Sequence, residues 1–170
     1  FVIVTGISGA GRGTSLRILE DAGYFCVDNL PISLIGKFAE LIYSSTSEIS
    51  KVALGLDIRS GRTLDELEST LGKLSRDGYK YEILFLEASD DVLVKRYKET
   101  RRNHPLAQDG RIIEGIAEER KKLSFLKKQA DYIIDTSSLL TRELKQELDK
   151  IFVQNKDFKN LVITVLSFGF

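Results

Sequence analysis

The chain has 170 residues, 42% of them hydrophobic and 29% charged, which suits one globular domain with its own core and excludes a disordered chain. Lys+Arg and Asp+Glu number 25 each, so the chain is not a polyelectrolyte and any nucleic-acid contact must come from a local patch. A single histidine, His104, argues against a histidine-built metal site or a Ser-His-Asp triad, and a single cysteine, Cys26, excludes a disulfide within the chain.

Phe1 to Val4 is a β-branched run bounded by glycine and reads as a buried strand. Thr14 to Ala22 reads as a helix with Leu16 and Leu19 on one face and Gly23 as its stop. Tyr24 to Val27 is the second strand. Pro31 then opens a helix carrying Leu34, Ile35, Phe38, Leu41 and Ile42 at helical spacing. Val52 to Ile58 is a third strand, and Leu64, Leu67, Leu71 and Leu74 mark an amphipathic helix ending before Gly78. Ile83 to Leu86 is a fourth strand. Helices follow over about Asp90–Arg102, broken by Pro105, and about Ile112–Ala130. Tyr132 to Ile134 is a short strand, Leu140, Leu144, Leu148 and Ile151 mark a helix, and Leu161 to Leu166 is a closing strand. This alternation predicts an α/β fold with a mostly parallel sheet covered by helices on both faces. Cys26, inside an apolar strand, is expected to be a small buried hydrophobe. No run nears the roughly 18 apolar residues of a membrane helix, and a cytoplasmic protein without a membrane partner is expected. Residues 1–160 are expected to form the main domain. Residues 161–170 should supply its closing strand and the start of a further C-terminal domain.

Between the first strand and the first helix stands Gly6-Ile7-Ser8-Gly9-Ala10-Gly11-Arg12-Gly13-Thr14. Glycines there let successive N–H groups turn inward, and the following helix N-terminus adds its own, which makes a cradle for an anion. The Gly6-x-x-x-x-Gly11 spacing is that of a phosphate-binding P-loop. The motif continues with Lys and then Ser or Thr, where this chain has Arg12 and Gly13. Arginine keeps the charge on a larger planar group, and Gly13 offers no hydroxyl to Mg²⁺. Thr14 stands one residue late for that role.

Asp28 follows the second strand, at a carboxyl end where open α/β sheets place ligands. It is either a base acting on an acceptor or a cap for the helix that Pro31 begins. Arg59, after the third strand, could grip an anion with Asp57 orienting it, or form a surface ion pair. Glu87 ends the fourth strand, where a carboxylate could hold Mg²⁺ through water or favour a helix dipole. From Lys95 to Lys128 there are 11 Lys and Arg against 5 Asp and Glu. That block is an anion-binding lid, a nucleic-acid patch or a set of solvated helix faces. Arg96, Arg101 and Arg102 are expected to be lid arginines, closing over the phosphates.

The Gly6–Gly11 loop, the run from Glu20 to Pro31 and Asp57-Ile58-Arg59-Ser60 together resemble the RapZ family of nucleotide-binding proteins, also called the YvcJ family. So do the run from Arg96 to Leu106, Asp135-Thr136-Ser137 and the closing Ser167-Phe168-Gly169-Phe170. The resemblance covers the whole chain and implies a P-loop, kinase-like N-terminal domain. It implies ATP binding at Gly6 to Thr14, a GTP-contacting stretch at Asp57, Ile58, Arg59 and Ser60, and weak NTPase activity. It also implies RNA binding and RNA-linked regulation by the full-length protein, with an oligomer left open. ATP or GTP is thus the expected ligand. Mg²⁺ is set against the missing side chains at Arg12 and Gly13, and no metal ligand is assigned. Two alternatives stand beside this reading. One is a small-molecule kinase using Asp28 and Arg59; the other is a module that binds a phosphate ligand without hydrolysing it.

Overall fold

The apolar runs become six short strands: β1 (Val2–Gly6), β2 (Phe25–Asp28), β3 (Val52–Gly55), β4 (Glu82–Glu87), β5 (Tyr132–Asp135) and β6 (Ile163–Val165). The computed structural model describes residues 1–44, 48–57, 61–100, 111–154 and 163–165. The helices are α1 (Arg12–Asp21), α2 (Ile32–Ile42), α3 (Gly61–Arg76), α4 (Asp90–Thr100), α5 (Ile112–Gln129) and α6 (Thr141–Leu148), the last running into a π-helical turn over Asp149–Gln154. The strands pair in the order β2-β3-β1-β4-β5-β6, every pair parallel. The closing strand therefore belongs to the same sheet, with Tyr132 beside Ile163.

The first crossover runs outward from β1 to β2, and the β3-to-β4 crossover runs the other way. Right-handed connections put α1 and α3 on opposite faces. Accordingly α1 packs on α6, while α3 packs on α2 and α5. The core lies between these layers and the central strands: Ile3, Val4, Leu54, Leu84 and Leu86 are wholly buried. Leu64, Leu67, Leu71 and Leu74 are also buried, as their spacing predicts.

Several elements differ from the sequence expectation. The helix expected from Thr14 begins at Arg12, so Arg12 and Gly13 lie in its first turn. The third strand ends at Gly55, not at residue 58. Leu56 stays buried and its N–H still donates to Val4 O at 3.0 Å, which explains why its apolar run reads as more strand. On α2 the buried positions are Ile32, Ile35 and Ala39, whereas Leu34 and Leu41 are 48% and 66% exposed. Cys26 is half-buried, not enclosed, because β2 is the sheet's outer strand.

Candidate functional site

Register brings the carboxyl ends together. Gly6 pairs with Leu86, Asp28 with Gly55 and Glu87 with Asp135, so the ends of β2, β3, β4 and β5 flank the loop that leaves central β1. At Gly6 the loop turns against β4 so closely that a Cβ would lie 2.2 Å from Leu86 O. At Gly11 the constraint is the backbone itself. It caps α1 at φ 110°, while a Cβ there would find ordinary contacts of 3.8 Å to Leu144 and 3.9 Å to Thr136. The first N–H groups of α1, on Arg12, Gly13 and Thr14, have no intrahelical acceptor by geometry and carry the positive end of the helix dipole. Together with the glycine turn they form an anion cradle.

The loop is held from outside. Ile7 N–H donates to Leu86 O at 3.0 Å. Ser8 gives both its N–H and its hydroxyl to Glu119 Oε1, each at 2.8 Å, and Glu119 is buried on α5. Arg96 reaches from α4 to Gly9 O at 2.9 Å and to Thr136 Oγ1 and O at 3.0 and 2.7 Å. Thr136, just after β5, donates its hydroxyl to Ala10 O at 2.6 Å. Burial lowers the Arg96 pKa from its ordinary value, against the raising pull of Asp135 and Glu99. Arginine remains a cation throughout the accessible range.

Arg12 turns toward the neighbouring strand ends. Nη1 donates to Leu56 O at 3.0 Å and Nη2 to Asn29 Oδ1 at 3.4 Å. Nε lies 3.4 Å from Asp28 Oδ1, and Nη1 lies 3.8 Å from Asp57 Oδ1. Asp28 also accepts Asn29 N–H at 2.9 Å, with Asn29 at φ 57°. Asp28 does not cap α2, whose cap position is Pro31 and carries no side-chain hydrogen bond.

The RapZ-like N-terminal domain family matches residues 1–156. The chain belongs to the RapZ-like family. Curated relatives include proteins of Agathobacter rectalis and Lachnoclostridium phytofermentans, each named a nucleotide-binding protein. They are 62% and 63% identical over 170 residues, covering all of this chain and 58% and 60% of their own lengths. The chain thus spans about three-fifths of the relatives it matches. Among solved structures, shikimate kinase from Acinetobacter baumannii in complex with shikimate superposes with a TM-score of 0.57 at 18% identity, over 91% of this chain and 93% of that one. The tunicamycin resistance protein of Deinococcus radiodurans gives 0.56 at 15% identity, over 88% and 94%. These likenesses fix the RapZ-like chain as a P-loop, kinase-like α/β fold.

Within this RapZ-like fold the sequence-predicted residues fall into distinct settings. Asp28, Asp57 and Arg12 come together at the ends of β2 and β3. Ile58, Arg59 and Ser60 lie outside the described residues, as do Arg101, Arg102 and His104. Arg96 is bound into the loop's support as described above. Glu87 has both carboxylate oxygens engaged: Oε1 by Arg120 and by Ala88 N–H at 2.9 Å, Oε2 by Lys127 Nζ at 3.1 Å. Burial pulls the Arg120 pKa down, but hydrogen bonds and charge from Glu87 and Asp90 outweigh it and leave it above its ordinary value. Among the described residues no three His, Cys, Asp or Glu side chains converge to hold a metal ion. No helix among them is long and apolar enough to cross a membrane.

Glu119 and Arg120 escaped the sequence reading. They sit in a segment notable for its basic surplus, and nothing local marks Glu119 as a partner of Ser8, 111 positions away. Thr136 was visible only as part of the Asp135-Thr136-Ser137 resemblance.

Proposed function

We propose that the chain is a purine nucleoside triphosphate-binding regulatory domain, taking ATP or GTP at Gly6 to Thr14, with the phosphates on the amides of Gly9 and of Gly11 to Thr14, since Ala10 N–H already donates to Ile7 O at 2.9 Å. The observation that carries this reading is the cradle itself, with Gly11 capping α1 in a left-handed conformation and the loop braced by Glu119, Arg96 and Thr136. The relatives' common name, nucleotide-binding protein, supports it. Arg12 and Arg96 supply positive charge beside the cradle, so part of the phosphate charge is balanced without a metal.

The residues present do not fit Mg²⁺ well. Gly13 carries no hydroxyl, and Glu87 already answers Arg120 and Lys127. We therefore infer slow hydrolysis or none. In the alternative, a small-molecule kinase, Asp28 would act as base on the acceptor through Oδ2, since Oδ1 takes the Arg12 and Asn29 contacts. RNA-linked regulation and assembly are proposals for a protein of the relatives' full length.

Titration of ATP and of GTP against the chain and against Gly11→Val tests the site. A β-branched residue at φ 110° costs about 1–3 kcal/mol, so if the loop relaxes to shed that strain both affinities should fall about five- to 150-fold. Undiminished affinity in a folded variant would place the nucleotide elsewhere. Arg12→Lys with Gly13→Ser tests the hydrolytic defect. A Cβ at position 13 meets no atom within 4 Å, so the variant has room to fold, and ATP turnover should rise. Equal turnover in parent and variant would show that the absent hydroxyl does not limit the reaction.

A further inference from the structure

α2 carries two apolar stripes. Ile32, Ile35 and Ala39 are buried against the domain. Leu34, Phe38 and Leu41 recur at i, i+4 and i+7 on the flank beside them, with Leu34 and Leu41 48% and 66% exposed. That flank lies toward the outer edge of the sheet. Phe38 stacks there on Phe25 of the outermost strand β2, with ring centroids 6.4 Å apart and planes inclined at 19°. Phe25 is itself 47% exposed. A helix flank and a sheet edge thus share one exposed apolar face.

We propose that this face joins two copies of the chain, with α2 lying antiparallel on α2 of the second copy across a twofold axis. Charge selects a second copy as the occupant. Lys37 and Glu40 are the only charged residues of α2, and both follow the same side of the exposed stripe. An antiparallel twofold reverses the order along the helix and keeps the side. Lys37 therefore comes level with Glu40 of the second copy, and Glu40 with its Lys37. The rim has no net charge and matches itself, whereas a partner of one sign gains nothing from it. Lys37 and Glu40 pair with each other at 3.3 Å, but at 80% and 58% side-chain exposure that contact is weak and both groups can reach across the axis. The sheet edge adds to the match. Among the described residues β2 pairs with β3 alone, and an edge carrying an exposed aromatic is a place where chains meet. The apolar side chains expose on the order of 300 Å² per copy, so with the polar rim the interface falls at the small end of specific ones.

Sedimentation equilibrium of the chain, without nucleotide and over about 1–300 µM, should show a dimer with a Kd on the order of 10 µM. Leu34→Asp and Leu41→Asp each put a charge into the stripe. Both positions are exposed, so both variants should fold, as circular dichroism verifies, and each should weaken the dimer about tenfold or more. Lys37→Glu and Glu40→Lys, each alone, set like charges across the axis and should weaken it about threefold or more. An equimolar mixture of those two variants should regain the parent affinity, because every charge then meets its opposite. A monomer at every concentration would overturn the proposal and leave the face to a different chain. Undiminished association of both folded leucine variants would overturn it by placing the contact elsewhere. The same Kd for the parent, the two charge variants and their mixture would overturn the antiparallel pairing of α2.

Discussion

Cys26 lies on the outermost strand with its thiol 3.3 Å from Leu16 O, and burial, followed by the charge of Glu20, pushes its pKa up to about 11. The thiolate is the reactive form, so the folded protein should resist alkylation. At pH 8 the thiolate fraction falls tenfold for each step of one by which the pKa rises. Iodoacetamide should therefore modify Cys26 about a hundredfold more slowly than an unstructured cysteine peptide. The folded thiol stays neutral to about pH 11, whereas the unfolded thiol ionises near 9. Its contribution to stability is therefore complete below pH 9 and is lost as pH rises from 9 through 11. An alkylation midpoint below 9 would contradict this setting. Ser15 makes the opposite case, of a polar atom with nothing to gain. It is wholly buried on α1, and among the described residues its hydroxyl has no hydrogen-bond partner. Such a group costs about 1–3 kcal/mol in desolvation, so Ser15→Ala should stabilise the fold by about 1 kcal/mol and raise Tm by about 2–4 °C. A lower melting temperature would mean that the hydroxyl has a role in the fold. Neither setting was legible in the sequence, because both depend on what packs over the residue. Cys26 reads as core when the strand order is unknown.

At the scale of elements the sequence was most informative where one physical demand dominated. β1, β3 and β4 are covered on both sides, and their continuous apolar runs say so. The leucines of α3 step with the helix and are buried. On α2 the signal was ambiguous for a physical reason: Ile32, Leu34, Ile35, Phe38, Leu41 and Ile42 are more apolar side chains than one buried stripe holds. Periodicity offered two overlapping faces, and tertiary packing chose the one with Ile32, Ile35 and Ala39. The loop between β1 and α1 was legible as a glycine turn into a helix N-terminus because glycine spacing and backbone geometry are local. Its braces were not, since Arg96 and Thr136 bond to it from 87 and 126 positions away. Thr136→Val tests the bracing. It keeps the shape but removes the hydroxyl bound to Ala10 O and leaves Arg96 one acceptor short, with Ala10 and Thr136 both buried. Stability to urea should fall by about 1–3 kcal/mol, and ATP should bind more weakly as the loop loses its fixed geometry. Unaltered stability and affinity together would show that Arg96 and Glu119 hold the loop without Thr136.

Over the whole molecule, the strand order decides what the loop can feel. With β1 between β3 and β4, the loop reaches β4, β5 and α5 on one side and the ends of β2 and β3 on the other. Arg12 links it to the second group, touching Leu56 O, Asn29, Asp28 and Asp57. The sequence placed Arg12 at a phosphate-contacting position but did not show this competition, because Asp28 and Asp57 become its neighbours only once β2 pairs with β3. A nucleotide that recruits the guanidinium must draw it from those carboxylates. Asp28→Asn with Asp57→Asn keeps the shapes and an oxygen for Asn29 N–H while removing both charges. Each pair is partly exposed and worth about 0.2–1 kcal/mol, so with both removed ATP affinity should rise about two- to thirtyfold. Removing two negative charges also attracts any anion, so the same pair of changes is repeated on Arg12→Ala. There the gain should shrink to the general electrostatic part, which falls away as salt is raised. A gain of equal size with and without Arg12, measured at one salt concentration, would show that the guanidinium stays with Leu56 and Asn29 while the nucleotide binds.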